Sequence, residues 1–250
     1  MSLAPSSLLA ETPAEKGLAI ATEADRRDMG YGDMTANMTM TLKNRHGETS
    51  VRYMRIKMLE MENDGDKSMS IFDRPRDVKG TAMLTFSHAT KPDDQWMYLP
   101  ALKRVKRISS RNKSGPFMGS EFAFEDLGSQ EIGKYTYTWI NNEACGDLEC
   151  FVIERKPTYK YSGYTRQMVW MDTAEYRPLK IDYYDRKNSL LKTQTFTEYH
   201  QFIGKYWRAH TMDIVNHQTG KSTNLVWSKV KFQTGLKERD FTRNSLKRAR

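Results

Sequence analysis

The amino-acid sequence predicts a mostly β protein built on antiparallel strands, and three observations lead to this fold class. Apolar and polar residues alternate in many short segments, such as "NMTMTLK" and "YMRIKML", which is typical of half-buried strands. Turns rich in Gly, Asn, Asp and Pro separate these segments. The connections are too short for parallel crossovers. About a dozen such strands predict a barrel, a half-barrel or a sandwich.

One helix is expected ahead of the first strand. Thr12 is a capping residue, Pro13 suits the first turn, and Glu15 completes a capping box. The helix is expected to stop near Gly30. Its pattern is modestly amphipathic, which is typical of a helix that lies on another part of the protein.

No internal repeat or break in composition divides the chain, so residues 1–250 are expected to form a single domain. Residues 1–11 are expected to be disordered, or to include start residues added ahead of a mature chain. They contain neither the basic region nor the apolar stretch of a signal peptide. The sequence contains no run of about 18 apolar residues, so no membrane-spanning helix is predicted.

The chain is basic, with 40 Lys and Arg against 31 Asp and Glu. A positive charge favours anionic partners, which include nucleic acid, anionic lipid head groups and acidic proteins. The densest cations lie between Lys103 and Lys113 and follow Trp96 and Tyr98, so a basic nucleic-acid-binding β-barrel is one alternative. No recognised nucleic-acid motif accompanies them, and we expect no nucleic acid to bind.

Signatures of catalysis are sparse. The five histidines form no metal-binding motif, and neither a Gly-x-Ser-x-Gly elbow nor a phosphate-binding glycine loop occurs. We therefore expect no enzyme activity, no cofactor and no metal. A hydrolase that acts on lipid remains an alternative.

The only two cysteines, Cys145 and Cys150, flank a predicted turn at Gly146-Asp147. Cysteines across a tight hairpin end can reach the short Cα separation of a disulfide. A disulfide is the favoured interpretation, with two free thiols and a metal site as the alternatives. A disulfide would indicate an oxidising compartment.

The alternation fails between Ile108 and Tyr135, over a stretch too long for a hairpin turn. Long loops in compact domains are commonly functional lids. This one is aromatic, and we expect Phe117–Leu127 to move as a lid. The apolar strand faces are also rich in methionine, which adapts to varied apolar shapes, although packing in an ordinary core is the alternative. The candidate lipid-binding residues are Met38, Met40, Met54, Met69, Trp96, Tyr98, Phe117, Met118, Phe122, Phe124, Trp139 and Trp170.

The segments "PALKRVKRI" and "GSEFAFEDL", with an N-terminal helix and antiparallel strands around them, resemble bacterial outer-membrane lipoprotein-sorting proteins of the LolA/LolB-like superfamily. The resemblance implies an open antiparallel half-barrel of about eleven strands, with a few helices that form a lid over a hydrophobic cavity. It also implies a periplasmic location, with a signal peptide that this sequence does not contain.

The function implied by the resemblance is that of a carrier. It would bind the acyl chains of a lipoprotein or lipid and shuttle this cargo between the inner and the outer membrane. Possible partners are an inner-membrane transporter of the resistance-nodulation-division (RND) type and an outer-membrane acceptor. The sequence does not fix the oligomeric state, and we expect a monomer. Candidate contacts to a partner or to lipid head groups are Arg104, Lys106, Arg107 and Arg111.

Overall fold

A computed structural model describes residues 11–249, so the expectations for residues 1–10 lie outside it. The chain forms helix α1 (Pro13–Asp28), thirteen strands, and helix α2 (Arg243–Arg248). The strands are β1 (Asp33–Lys43), β2 (Thr49–Leu59), β3 (Lys67–Arg74), β4 (Ala82–Phe86), β5 (Asp94–Leu99), β6 (Arg104–Ile108), β7 (Tyr135–Cys145), β8 (Leu148–Pro157), β9 (Tyr164–Asp172), β10 (Pro178–Asp185), β11 (Leu190–Phe202), β12 (Tyr206–Asn216) and β13 (Ser222–Phe232).

All thirteen strands belong to one antiparallel sheet, in which each strand neighbours the next along the chain except at one place. β1 to β6 form a first meander, β7 to β13 form a second meander, and β1 pairs with β13 to join them. The edge strands are β6 and β7, so the sheet stays open as a half-barrel. The expected architecture is confirmed, with thirteen strands in place of about eleven.

The segment 109–134, called the crossover segment below, joins the two edge strands. Because β6 and β7 lie at opposite ends of the sheet, this segment must pass from one edge to the other. It contains several short 3₁₀ turns, among them Phe117–Gly119 and Phe124–Leu127. The segment is therefore long because it must connect the two opposite edges of the sheet, a distance that a hairpin turn is too short to cover.

Helix α1 begins as predicted. The Thr12 hydroxyl accepts a hydrogen bond from the amide of Glu15, and the Glu15 carboxylate accepts one from the amide of Thr12, which completes the capping box. The helix packs on β7 through Gly17, where a Cβ atom would lie only 2.6 Å from the backbone nitrogen of Trp139. Glycine is needed here for close approach.

The two faces of the sheet are covered by different elements. The inner face carries Met38, Met54 and Phe72 in register and lies against the crossover segment. On the outer face, residues of β3, β4 and β5 pack beneath Phe241 and Leu246 of the C-terminal segment. Four of the five residues of β4 are consequently buried.

The cysteine prediction is confirmed: Cys145 and Cys150 form a disulfide with a Cα–Cα separation of 5.9 Å at the β7–β8 hairpin. No helix within residues 11–249 combines the length and apolar character that crossing a bilayer requires.

Candidate functional site

A large cavity lies between α1 and the inner face of the second meander and has a volume of about 1050 Å³. Ala21 and Ala24 of α1, with Met29 at the end of the helix, line one side. The opposite wall is formed by apolar side chains from strands that are far apart in sequence, namely Met58, Ile153, Val169, Met171, Phe196, Ala209 and Met212. The sheet and the helix thus enclose a space that their own side chains leave unfilled.

A smaller chamber of about 170 Å³ adjoins this cavity. Four residues line both spaces: Met58, Arg208, Ala209 and Met212. Met34, Trp227 and Val230 complete the chamber. Its lining is apolar apart from the guanidinium of Arg208 and the indole nitrogen of Trp227.

Charged side chains surround the mouth of the cavity. Carboxylates dominate on the side formed by the β2–β3 connection and the end of the crossover segment, with Arg27, Lys205 and Arg208 on the other side. The carboxylates on that side are Glu60, Glu62, Asp64, Asp66 and Glu131, with Asp25 of α1 beside them, whereas Asp28 and Glu175 pair with Arg208 and Arg27 on the other side. An apolar wall with a charged mouth suits an amphipathic ligand.

Burial perturbs two of these carboxyl groups. It raises the pKa of Asp66 to about 6, although the Tyr31 hydroxyl donates a hydrogen bond of 2.9 Å to Oδ2 and works in the opposite direction. Burial also raises the pKa of Asp25, and the neighbouring charge of Glu131 adds to the effect. The protein therefore favours the neutral form of both groups more than water does.

Seven of the predicted lipid-binding residues meet in a single packed cluster on the inner face of the first meander. They are Met38, Met40, Met54, Phe117, Met118, Phe122 and Phe124. The ring of Phe117 lies 5.9 Å from that of Phe72 and 5.7 Å from that of Phe124, measured between centroids. The crossover segment fills this half of the sheet, so the open cavity lies beside the cluster.

Polar contacts hold the crossover segment in place. Asp126 accepts hydrogen bonds from the Lys192 ammonium and the Tyr164 hydroxyl. Glu125 accepts from Tyr159, from Ser162 and from the amide of Gly163. Burial, together with the charge of Asp126, raises the pKa of Glu125. These contacts hold Phe117–Leu127 against the second meander, whereas α1 lies over the cavity.

Four other predicted lipid-binding residues lie on the outer face. Met69 and Tyr98 are buried under the C-terminal segment, and Trp96 packs beside them. Trp170 pairs in register with Val152 and Lys180, and the Lys180 ammonium lies 3.4 Å from its ring centroid. A ligand in the inner cavity would not touch any of the four. The alternation of side chains along a strand shows which residues share a face of the sheet, but it does not show which of the two faces is the inner one.

Trp139 lies at the contact between α1 and β7, with the ammonium of Lys16 3.5 Å from its ring centroid. It supports the helix and is absent from the cavity wall. Most wall residues come from β8 to β12, strands that the alternation of the sequence predicts but to which no site was assigned. Their apolar inner positions, such as Ile153 and Val169, were the available signal.

The predicted docking cations are exposed. Arg104, Lys106 and Arg107 lie on the edge strand β6, where Arg107 also forms an ion pair with Asp94. Arg111 is exposed as well, with its guanidinium 5.7 Å from the ring centroid of Tyr161. Within residues 11–249, no group of His, Cys, Asp and Glu side chains is arranged to hold a metal ion.

An open antiparallel half-barrel with a helix over an apolar cavity defines the LolA-like class of fold. A crystal structure from Vibrio parahaemolyticus, provisionally assigned as an outer membrane lipoprotein-sorting protein domain, is 62% identical. The match covers 94% of this chain and 99% of that chain, with a TM-score of 0.92. The chain therefore belongs to the same family as this provisionally assigned lipoprotein-sorting domain.

Other comparisons agree. A family model described as an uncharacterized protein matches residues 64–248. A DUF1329 family protein from Desulfovibrio piger is 29% identical, with 94% of this chain and 99% of that chain covered and a TM-score of 0.89. A LolA superfamily protein from Nitrosomonas europaea shares the fold at 20% identity, with 92% and 98% covered and a TM-score of 0.73. No curated protein matches the sequence.

Proposed function

We propose that this protein is a periplasmic carrier that binds the acyl chains of a lipoprotein or lipid and shuttles them between the inner and the outer membrane. The observation that carries the proposal is the cavity of about 1050 Å³ between α1 and the inner face. Its volume slightly exceeds the usual range for ligand sites, which is about 300–1,000 Å³, so an acyl chain has room to enter. Membership of a lipoprotein-sorting family supports the same role.

The energetics of such binding need no catalytic group. A buried methylene gains about 0.8 kcal/mol, so a fourteen-carbon chain would gain on the order of 11 kcal/mol on leaving water. Ordering the chain offsets part of this gain. A carrier accordingly requires an apolar cavity wall that excludes water and a cover that can open. We propose no enzyme activity and no cofactor.

Release of the cargo requires a partner with an equally apolar site. We propose that Arg104, Lys106, Arg107 and Arg111 contact lipid head groups or an acidic partner. An inner-membrane RND-type transporter would supply the cargo, and an outer-membrane acceptor would receive it. A monomer suffices for this cycle, because one chain contains the whole cavity.

The test is native mass spectrometry of the protein after gentle extraction, combined with uptake of a fluorescent fatty acyl probe. Met171→Lys places a charge on the cavity wall and is expected to abolish uptake. The matched control is Val51→Lys, at a position with 38% exposure on a strand outside the cavity wall. A wild-type protein that carries no lipid and takes up no probe would contradict the proposal.

A further inference from the structure

The indole N–H of Trp227 is a buried donor without a hydrogen-bond partner among the described residues. Within residues 11–249, only two buried side-chain polar atoms lack a hydrogen bond, and they are Oε1 of Gln95 and Nε1 of Trp227. An unmade hydrogen bond at a buried N–H group costs free energy, so natural structures rarely leave one without a reason. A ligand that supplies the missing acceptor is one such reason.

The position of Trp227 connects this donor to the cavity. Trp227 lies on β13, opposite Met38 of β1, and lines the small chamber of about 170 Å³. The chamber and the main cavity share four lining residues, among them the flexible side chains of Met58 and Met212. A lipid bound in the main cavity therefore lies next to the chamber and reaches it when these methionine side chains move aside.

The chemistry of the chamber limits what can enter. The Arg208 guanidinium forms an ion pair with Asp28 through Nη1 and lies 5.4 Å from the ring centroids of Tyr31 and Phe232. Asp28 neutralises the charge of Arg208 and the remaining lining is apolar, so a phosphate or a carboxylate would find no net positive charge to offset its lost hydration. An uncharged carbonyl oxygen loses less hydration and can accept a hydrogen bond from the indole.

On the basis of the proposed carrier function, we infer that the chamber is a subsite for the acyl carbonyl of the ligand, with Nε1 of Trp227 as the hydrogen-bond donor. The ligand class is then a lipid whose chain is attached through an ester or an amide. A hydrocarbon chain, or one attached through an ether, would leave the indole N–H unpaired. The chamber would thus distinguish acyl lipids from alkyl lipids of equal length.

The test compares two phospholipids with the same chains and head group, one ester-linked and one ether-linked, by competition with a fluorescent acyl probe. We expect the wild-type protein to bind the ester form about tenfold more tightly. Trp227→Phe keeps the aromatic bulk and is expected to bind both forms equally. An N-acylated peptide measured in parallel distinguishes an amide source of the carbonyl from an ester source.

The matched control is Trp207→Phe, because Trp207 also lines the cavity but its Nε1 already donates to Glu175 at 3.1 Å. This variant is expected to retain the preference. Equal binding of the two lipids by the wild-type protein, or an unchanged preference in Trp227→Phe, would overturn the inference while the carrier proposal stands. Failure of both lipids to bind would instead contradict the carrier proposal.

A second measurement needs no variant. In the wild-type protein, the indole ¹H–¹⁵N resonance of Trp227 should move downfield when the ester-linked lipid binds and should stay in place with the ether-linked lipid. The same shift with both lipids, or with neither despite binding, would overturn the inference.

Discussion

The ammonium of Lys192 lies 2.7 Å from Oδ2 of Asp126, and the two side chains are only 3% and 7% exposed. Lys192 belongs to β11, whereas Asp126 belongs to the crossover segment, 66 residues earlier in the chain. The same ammonium donates to the carbonyl of Glu121. This ion pair therefore fixes the aromatic segment against the second meander.

Lys192→Met is expected to lower the free energy of unfolding by about 3–5 kcal/mol, because it leaves the Asp126 carboxylate buried without its partner. The measurement is urea denaturation. Lys156→Met is the control, since Lys156 pairs with Glu154 at 2.7 Å but is 56% exposed. That loss should stay below about 1 kcal/mol. Equal losses in the two variants would show that the buried pair has no special role.

Gly17→Ala is expected to loosen α1, although alanine favours helix formation over glycine by about 1 kcal/mol. The new Cβ would lie 2.6 Å from the nitrogen of Trp139 and 2.9 Å from two backbone atoms of Thr138, so the helix must shift away from β7. Overpacking costs about 1–3 kcal/mol, and amide exchange in Pro13–Asp28 should accelerate about tenfold. Leu18→Ala, at an exposed position of the same helix, should not change exchange. Slower exchange in Gly17→Ala would mean that helix propensity outweighs the clash.

Asp66 should give the protein a distinct pH dependence. Its pKa is about 6 in the folded protein, against about 3.9 in an unfolded chain. The folded state therefore holds the proton more tightly, and this stabilisation is full below pH of about 4 and is lost as the pH rises through 6. Between pH 4 and 6.5, the free energy of unfolding of the wild type should fall relative to that of Asp66→Asn. Parallel curves for the two proteins would refute the assignment.

Reversal of charge on β6 should separate binding from delivery. The triple variant Arg104→Glu, Lys106→Glu, Arg107→Glu should retain an acyl probe but transfer it to anionic vesicles at least about tenfold more slowly, because attraction to the acceptor surface is lost. A control with the same change in charge replaces the exposed residues Lys160, Lys187 and Lys221 by glutamate. If both variants slow transfer equally, net charge rather than the β6 surface is responsible.

The sequence predicted the helix and the strands well, but it predicted less well which face of the sheet each residue occupies. Met38, Met40 and Met54 were assigned correctly to one side because their strands alternate strictly. Met69 and Tyr98 lie on the outer face, away from the cavity. Their strands gave no means of telling the two faces apart, because the outer face of β3 to β5 is also apolar and is covered by the C-terminal segment.

The position of the cavity could not be predicted from the sequence. Its apolar wall combines Met58 with residues of β8, β9, β11 and β12, and only the pairing of β1 with β13 brings them together. The run "TAMLTF" contains β4, and its consecutive apolar residues indicate that this strand is buried on both faces. Phe241 and Leu246 provide the cover of its outer face.

The pairing of β1 with β13 has a consequence for how the molecule is made. The strands at the centre of the sheet are separated by almost the whole length of the chain, from Asp33 to Phe232. Until the last strand has been synthesised, β1 presents an unpaired edge, and such edges invite association with other chains. The sheet that begins with the first six strands therefore cannot be completed until β13 has been synthesised. This predicts slow folding and an intermediate that is prone to aggregate.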